Sequence, residues 1–193
     1  MIEVRWHGRG GQGSFTVARL LGLAASVYDG KYAQAFPSFG PERRGAPVLG
    51  FTRIDTEKIT DRSELDVCDY VVILDETLWG NDVLVGLKEN SLVIINTKDV
   101  TLYEKACPCP VIAIDATQMA IDYLGIPITN TAMLGALVGT SGIVNSDSCK
   151  AAICASMNPK MAAKNVALFE HVMEQMKNKL SAENLCTGGN THE

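Results

Sequence analysis

The stretch Trp6-His7-Gly8-Arg9-Gly10-Gly11-Gln12-Gly13-Ser14-Phe15-Thr16 concentrates the residue types best suited to holding a ligand. Gly8, Gly10 and Gly13 fit the spacing G-x-G-x-x-G, between a short apolar run from Ile2 to Trp6 and a helical pattern. A strand, a glycine turn and a helix in that order bring bare backbone N–H groups to a helix N-terminus. That end carries partial positive charge and unpaired donors, which suits a phosphate. Glycine is required where a side chain would block the approach of a pyrophosphate. The same spacing also serves a tight strand-to-helix turn with no ligand at all. A second stretch, Pro37-Ser38-Phe39-Gly40-Pro41-Glu42-Arg43-Arg44-Gly45-Ala46-Pro47, offers an arginine pair in a segment stiffened by three prolines. Arginine grips phosphate through two parallel hydrogen bonds. Such a loop beside a phosphate-binding turn suits a ligand with several phosphates, and equally suits a solvated surface or an ion pair to a neighbouring chain.

The catalytic inventory is thin. The histidines are His7, His171 and His192, and none stands beside a nucleophile in sequence. His7 ends a strand, a place for a structural imidazole or for a ligand contact, and His171 reads as an exposed helix residue. Asp69, Asp75, Glu76 and Asp115 fall at strand ends, where carboxylates either work or cap the next helix. There is no G-x-S-x-G elbow, no H-E-x-x-H and no Walker lysine. The six cysteines (Cys68, Cys107, Cys109, Cys149, Cys154, Cys186) include no C-x-x-C pair, and they read as reduced cytosolic thiols. The iron–sulfur ferredoxin spacing is absent. No catalytic residue and no metal ligand is assigned. A ligand site without chemistry of its own suggests a subunit whose reactive centre lies on partner chains.

The chain has 193 residues, room for one α/β domain with a sizeable core. Its net charge of −5 argues against a nucleic-acid surface. All seven arginines nevertheless fall within the first 62 residues, the segment that holds the glycine turn. No apolar run is long enough to span a bilayer and the first residues are not a signal peptide, so a cytoplasmic location without membrane attachment is expected.

Around the glycine turn the periodicity predicts a helix from Gln12 to Tyr28, with Val17, Leu20, Leu21, Ala24, Ala25 and Tyr28 on its buried face. Gly30 stops it. Tyr32 to Phe36 reads as a second strand, so residues 2 to 36 form a parallel β-turn-α-β unit. A nicotinamide enzyme places an acid at the end of that strand. Here Asp29 precedes the strand, and no acid follows until Glu42. Val48 to Ile54 is a strand that could add antiparallel. The apolar runs 69–75, 91–96 and 111–115 are buried strands, and Leu78 to Leu87 is partly helical. Ala116 to Leu124 is a helix stopped by Gly125. Thr131 to Val144 is apolar on every side, either core or subunit interface. Asn158-Pro159 caps a helix that runs to Leu180, and 181–193 reads as a flexible tail. The fold class is therefore α/β, a single Rossmann-like, doubly wound, mostly parallel sheet with flanking helices.

Gly8-Arg9-Gly10-Gly11-Gln12-Gly13, the Phe36–Pro47 loop with its arginine pair before Gly45-Ala46-Pro47, and Asn130-Thr131-Ala132-Met133-Leu134-Gly135 together resemble the gamma subunit of 2-oxoacid:ferredoxin oxidoreductases. The second motif resembles the pyruvate and 2-ketoisovalerate branch. The resemblance extends over roughly residues 1–180 as one gamma-type domain. It implies a complex that oxidatively decarboxylates a 2-oxoacid, pyruvate in this branch, passes electrons to ferredoxin and delivers the acyl group to coenzyme A. Thiamine diphosphate, Mg and the 4Fe-4S clusters would sit on alpha, beta and delta subunits or their fused equivalents, and this chain would bind coenzyme A. Gly8, Arg9, Gly10, Gly11, Gln12, Gly13, Ser38, Arg43 and Arg44 are the expected coenzyme A contacts. Two other readings remain open from the residues: a free-standing NAD(P)-dependent oxidoreductase, and a purely structural subunit.

Overall fold

A computed structural model of the chain describes residues 1–38 and 44–187, and side chains as far as residue 181. β1 (Ile2–Arg9) enters the glycine turn, and α1 (Ser14–Leu23) leaves it. α1 continues into a π-helical turn over Ala24–Tyr28, and β2 (Tyr32–Pro37) follows. β3 (Pro47–Asp55), β4 (Cys68–Ile73), α2 (Asn81–Leu84), β5 (Leu87–Asn96), α3 (Thr101–Ala106) and β6 (Val111–Ile114) complete the sheet region. Four helices close the chain: α4 (Ala116–Leu124), α5 (Asn130–Ser141), α6 (Ser146–Ser156) and α7 (Pro159–Thr187).

The six strands lie in the order β2-β3-β1-β4-β5-β6. β1, β4, β5 and β6 pair in parallel. β3 alone runs against its neighbours, antiparallel to both β1 and β2. The expected unit of β1, α1 and β2 thus keeps its parallel strands but not their adjacency, because β3 is inserted between them. Residue periodicity marks which face of a strand is buried and says nothing about which strand lies beside it.

Alternation in the strands divides the interior into two layers. Val4 and Trp6 of β1, Ile54 of β3, Val72 of β4 and Ile94 of β5 join α1, α5, α6 and α7 in the main core. Val71, Ile73, Val93 and Ile95 face the other way and pack with Val83 of α2 and Tyr103 of α3. On that second face β1 carries the charged Glu3 and Arg5, and β3 carries Arg53 next to the buried Phe51. Arg53 is 2% exposed; its Nε donates to Glu3 at 3.1 Å, and its guanidinium lies over Phe36 at 5.6 Å. Lys88 reaches the other Glu3 oxygen at 3.2 Å and Asp69 at 2.8 Å. Arg5 donates to the carbonyls of Val83 and Val85. Arg5 and Arg53 are therefore structural, although their sequence neighbourhood grouped them with the phosphate-type arginines.

α5 resolves the choice posed by its composition. Residues Asn130 to Gly139 are all buried inside this chain. A Cβ on Gly135 would stand 2.6 Å from the Phe169 carbonyl oxygen, and one on Gly139 would stand 2.5 Å from that of Met173. Two glycines four residues apart let α5 lie directly on the backbone of α7. The interface reading, which motivated a purely structural role, loses its support. At the entry to α7, Asn158 Oδ1 accepts from Met161 N at 3.0 Å, the cap expected there. α7 runs on to Thr187, past the Leu180 boundary at which a tail was expected to begin. Among the described residues no helix is long and apolar enough to cross a membrane.

Candidate functional site

The first turn of α1 lies at the carboxyl edge of β1, the edge where open parallel sheets receive ligands. Gly11 and Gly13 take φ of 99° and 83°, left-handed values that a side chain would make costly. A Cβ on Gly8 would collide with Ser14 Oγ, and one on Gly50 of β3 would lie 2.8 Å from the Ser14 carbonyl oxygen. Bare backbone on both sides thus lets α1 start tightly against the sheet. No side chain caps the N-terminus of α1, and no acid lies in its first turn. Its first N–H groups are left to whatever occupies the space in front of them.

That space is a cavity of about 280 Å³ lined by Arg9, Gly10, Gly11, Gly13, Ser14, Phe15, Thr16 and Val48. Ser14 Oγ is the buried side-chain polar atom without a hydrogen-bond partner among the described residues, and Ser14 is 2% exposed. Native structures rarely leave such an atom unmet. Asn130, at the start of α5, approaches the same turn: its Nδ2 would lie 2.6 Å from a Cβ on Gly13. Asn130 Oδ1 accepts from Thr131 N at 2.8 Å, which points the amide nitrogen toward the glycine turn. Open helix N–H groups suit a phosphate, and the Ser14 hydroxyl and the Asn130 amide stand beside the same turn.

The expected site residues divide into groups. Gly10, Gly11 and Gly13 line the cavity. Arg9 also lines it, but its guanidinium is engaged: Nε donates to Asp75 at 3.2 Å, Nη2 to Thr77 at 2.7 Å and Nη1 to the Gly45 carbonyl at 3.1 Å. Gln12 is held at both ends of its amide, accepting from Arg9 N at 2.7 Å and donating to Asp75 at 2.8 Å. Asp75, just beyond β4, is the anchor. Burial raises its pKa, but hydrogen bonds from Thr77 and Gln12 and the Arg9 charge outweigh that and hold it below the usual carboxylate value. Gln12 and Asp75 border a second cavity of about 330 Å³, with Asn96, Thr117 and Thr129.

Arg44 is exposed and bridges Gly10 through the backbone, which places it beside the turn; it makes no ion pair among the described residues. Arg43 lies outside the described residues. Ser38 and Gly8 line a different cavity with Arg5, His7 and Val83. His7 accepts from Arg5 Nε at 3.0 Å. Burial, with the Arg5 charge beside it, pulls the His7 imidazole down to about 3, so it is neutral and structural. His171 is half-buried, not exposed: it stacks on Tyr123 with centroids 5.2 Å apart. Asp29, the acid a nicotinamide ribose would need, instead pairs with Lys31 at 2.8 Å and accepts from Ser148 at 3.3 Å. Among the described residues no group of three His, Cys, Asp or Glu side chains is placed to hold a metal ion.

A doubly wound sheet with an open glycine turn at its carboxyl edge defines an α/β ligand-binding domain. Residues 3–175 match the pyruvate ferredoxin/flavodoxin oxidoreductase family, and the chain belongs to that family. It is the gamma-type subunit of a pyruvate/2-oxoacid:ferredoxin oxidoreductase complex. Pyruvate synthase subunit PorC of Methanocaldococcus jannaschii is 49% identical over 182 residues, 93% of this chain and 99% of that one. The crystal structure of pyruvate oxidoreductase subunit PORC from Thermotoga maritima is similar with a TM-score of 0.79 at 35% identity, over 90% of this chain and 95% of that one. A 2-oxoglutarate:ferredoxin oxidoreductase from Magnetococcus marinus, solved with 2-oxoglutarate, coenzyme A and succinyl-CoA bound, shares the fold with a TM-score of 0.73 at 18% identity. The match covers 92% of this chain and 31% of that much longer one.

Proposed function

We propose that this subunit binds coenzyme A and positions its thiol for the acyl intermediate formed elsewhere in the complex. The observation that carries the reading is the uncapped start of α1, where Ser14, whose buried hydroxyl has no partner among the described residues, lines a cavity with Gly10, Gly11 and Gly13. The pyrophosphate would take backbone donors of this turn with Ser14 Oγ and Asn130 Nδ2. Arg44, and Arg43 beside it in sequence, would take further phosphate charge, coenzyme A carrying a 3′-phosphate in addition to the pyrophosphate. Arg9 and Gln12 would act as braces that hold the turn through Asp75, not as contacts. Ser38 opens on another cavity and has the weakest claim to touch the ligand.

The chain's contribution is proximity: a held thiol meets the acyl group at a high effective concentration. Thiamine diphosphate and Mg, the 4Fe-4S clusters and the docking of ferredoxin are assigned to alpha, beta and delta partners, and the complex to the cytoplasm. A nicotinamide role has no support in the site, because Asp29 is committed to Lys31 and Ser148.

Replacing Arg43 and Arg44 together by alanine in the complex tests the assignment. The expected result is a raised KM for coenzyme A with 2-oxoacid decarboxylation retained. Unchanged coenzyme A dependence would overturn it and return the chain to a structural role.

A further inference from the structure

Outside the glycine turn, Cys107 and Cys109 are the two thiols that meet each other among the described residues. They flank Pro108 in the segment that joins α3 to β6. Their sulfurs lie 3.3 Å apart. Both side chains are half-buried, while Pro108 and Pro110 are exposed, so the pair opens to solvent along one side. A disulfide bond spans about 2.0 Å, so the sulfurs need to close by only about 1.3 Å. The pair stands at the amino edge of β6, the opposite edge of the parallel strands from the glycine turn.

We propose that Cys107 and Cys109 are a redox-active dithiol that closes to an intrachain disulfide by exchange with a low-molecular-weight disulfide. The sulfur of Cys107 attacks one sulfur of the oxidant, forming a mixed disulfide and releasing one thiolate. Cys109 Sγ then attacks Cys107 Sγ, breaks the mixed bond and expels the second thiolate. The two protein thiols lose two electrons and two protons. The oxidant gains both and leaves as two thiols. Burial, and then the hydrogen bond and charge of Cys107, hold the Cys109 thiol up at about 12. A three-residue disulfide loop is tight, and tight, accessible disulfides are readily reduced again. Cys68 and Cys149 are buried, and Cys154 is exposed with no thiol paired to it among the described residues, so the chain carries its own controls.

The intact complex, purified without oxygen, is treated with oxidised glutathione, alkylated and digested for mass spectrometry. The expected peptide spanning Cys107 and Cys109 is unalkylated and about 2 Da lighter than its reduced form, and returns to two alkylated thiols after dithiothreitol. Cys154 in the same sample is expected to carry a glutathione. Cys109→Ser is expected to trap one glutathione on Cys107. The proposal fails if Cys107 and Cys109 both remain alkylatable while Cys154 reacts, if each retains its own glutathione, or if the Cys109→Ser variant leaves Cys107 untouched.

Discussion

Replacing Ser14 by alanine should move stability and ligand affinity in opposite directions. The Ser14 hydroxyl is buried, and its oxygen has no partner among the described residues. A buried polar group left unmet costs about 1–3 kcal/mol. Removing it from the ligand-free subunit sacrifices no hydrogen bond, so the unfolding temperature should rise by about 2–4 °C for each kcal/mol recovered. With coenzyme A bound, the same hydroxyl would donate to a charged phosphate, an interaction worth about 1.5–3 kcal/mol. Its loss should weaken binding roughly ten- to a hundredfold. Thermal unfolding of the subunit without ligand reads the first effect, and calorimetric titration of the complex with coenzyme A reads the second. A variant that melts lower than the parent and binds coenzyme A equally well would refute the reasoning on both counts, since the hydroxyl would then have an internal partner and no ligand.

Gly139→Ala should destabilise the chain by about 1–3 kcal/mol, because the new methyl would press on the Met173 carbonyl at 2.5 Å and Met176 Cβ at 2.9 Å; a urea midpoint equal to the parent's would count against the close α5–α7 contact. Gly11→Ala and Gly13→Ala should each lose about 1–2 kcal/mol to left-handed strain. Only the second also displaces Asn130, so it should lose more stability and raise the coenzyme A KM further. His7 has its pKa lowered from 6.5 to about 3 on folding. Between those values the unfolded chain binds the extra proton, so stability is full above 6.5 and falls as pH drops, by up to about 1.4 kcal/mol per pH unit. Urea midpoints at pH 7 and pH 5 measure that loss, and His7→Gln should flatten it.

Elements with strong local signals were legible in the sequence. The Gly125 stop of α4 takes φ of 78°, and the Asn158 cap opens α7 where the proline at its first position implied. The sheet's parallel core followed from its β-branched runs. What lay hidden was long-range. The insertion of β3 depends on strand pairing, which no periodicity encodes. β5 begins at Leu87 rather than Ser91, because Lys88, Glu89 and Asn90 mask its start with polar residues. α6 buries only Ser148, Cys149, Ala152 and Ile153, too small a stripe to stand out. At the site, the glycines were readable because their backbone geometry is a local demand. The Asp75 brace is 66 residues from Arg9, and Asn130 meets Gly13 only through the fold. Ser14 stands within the motif, yet only packing leaves its hydroxyl without a partner among the described residues.

The reversed strand also has a consequence for the segment it borders. Pro37 sits opposite Gly50 and Pro47 opposite Arg9, so both ends of the segment carrying Ser38, Arg43 and Arg44 are stitched into the ladder. Length and charge between those anchors can drift while the ladder keeps its register. A change in the length or charge of that one short insert would therefore leave the pairing of β1, β2 and β3 in place.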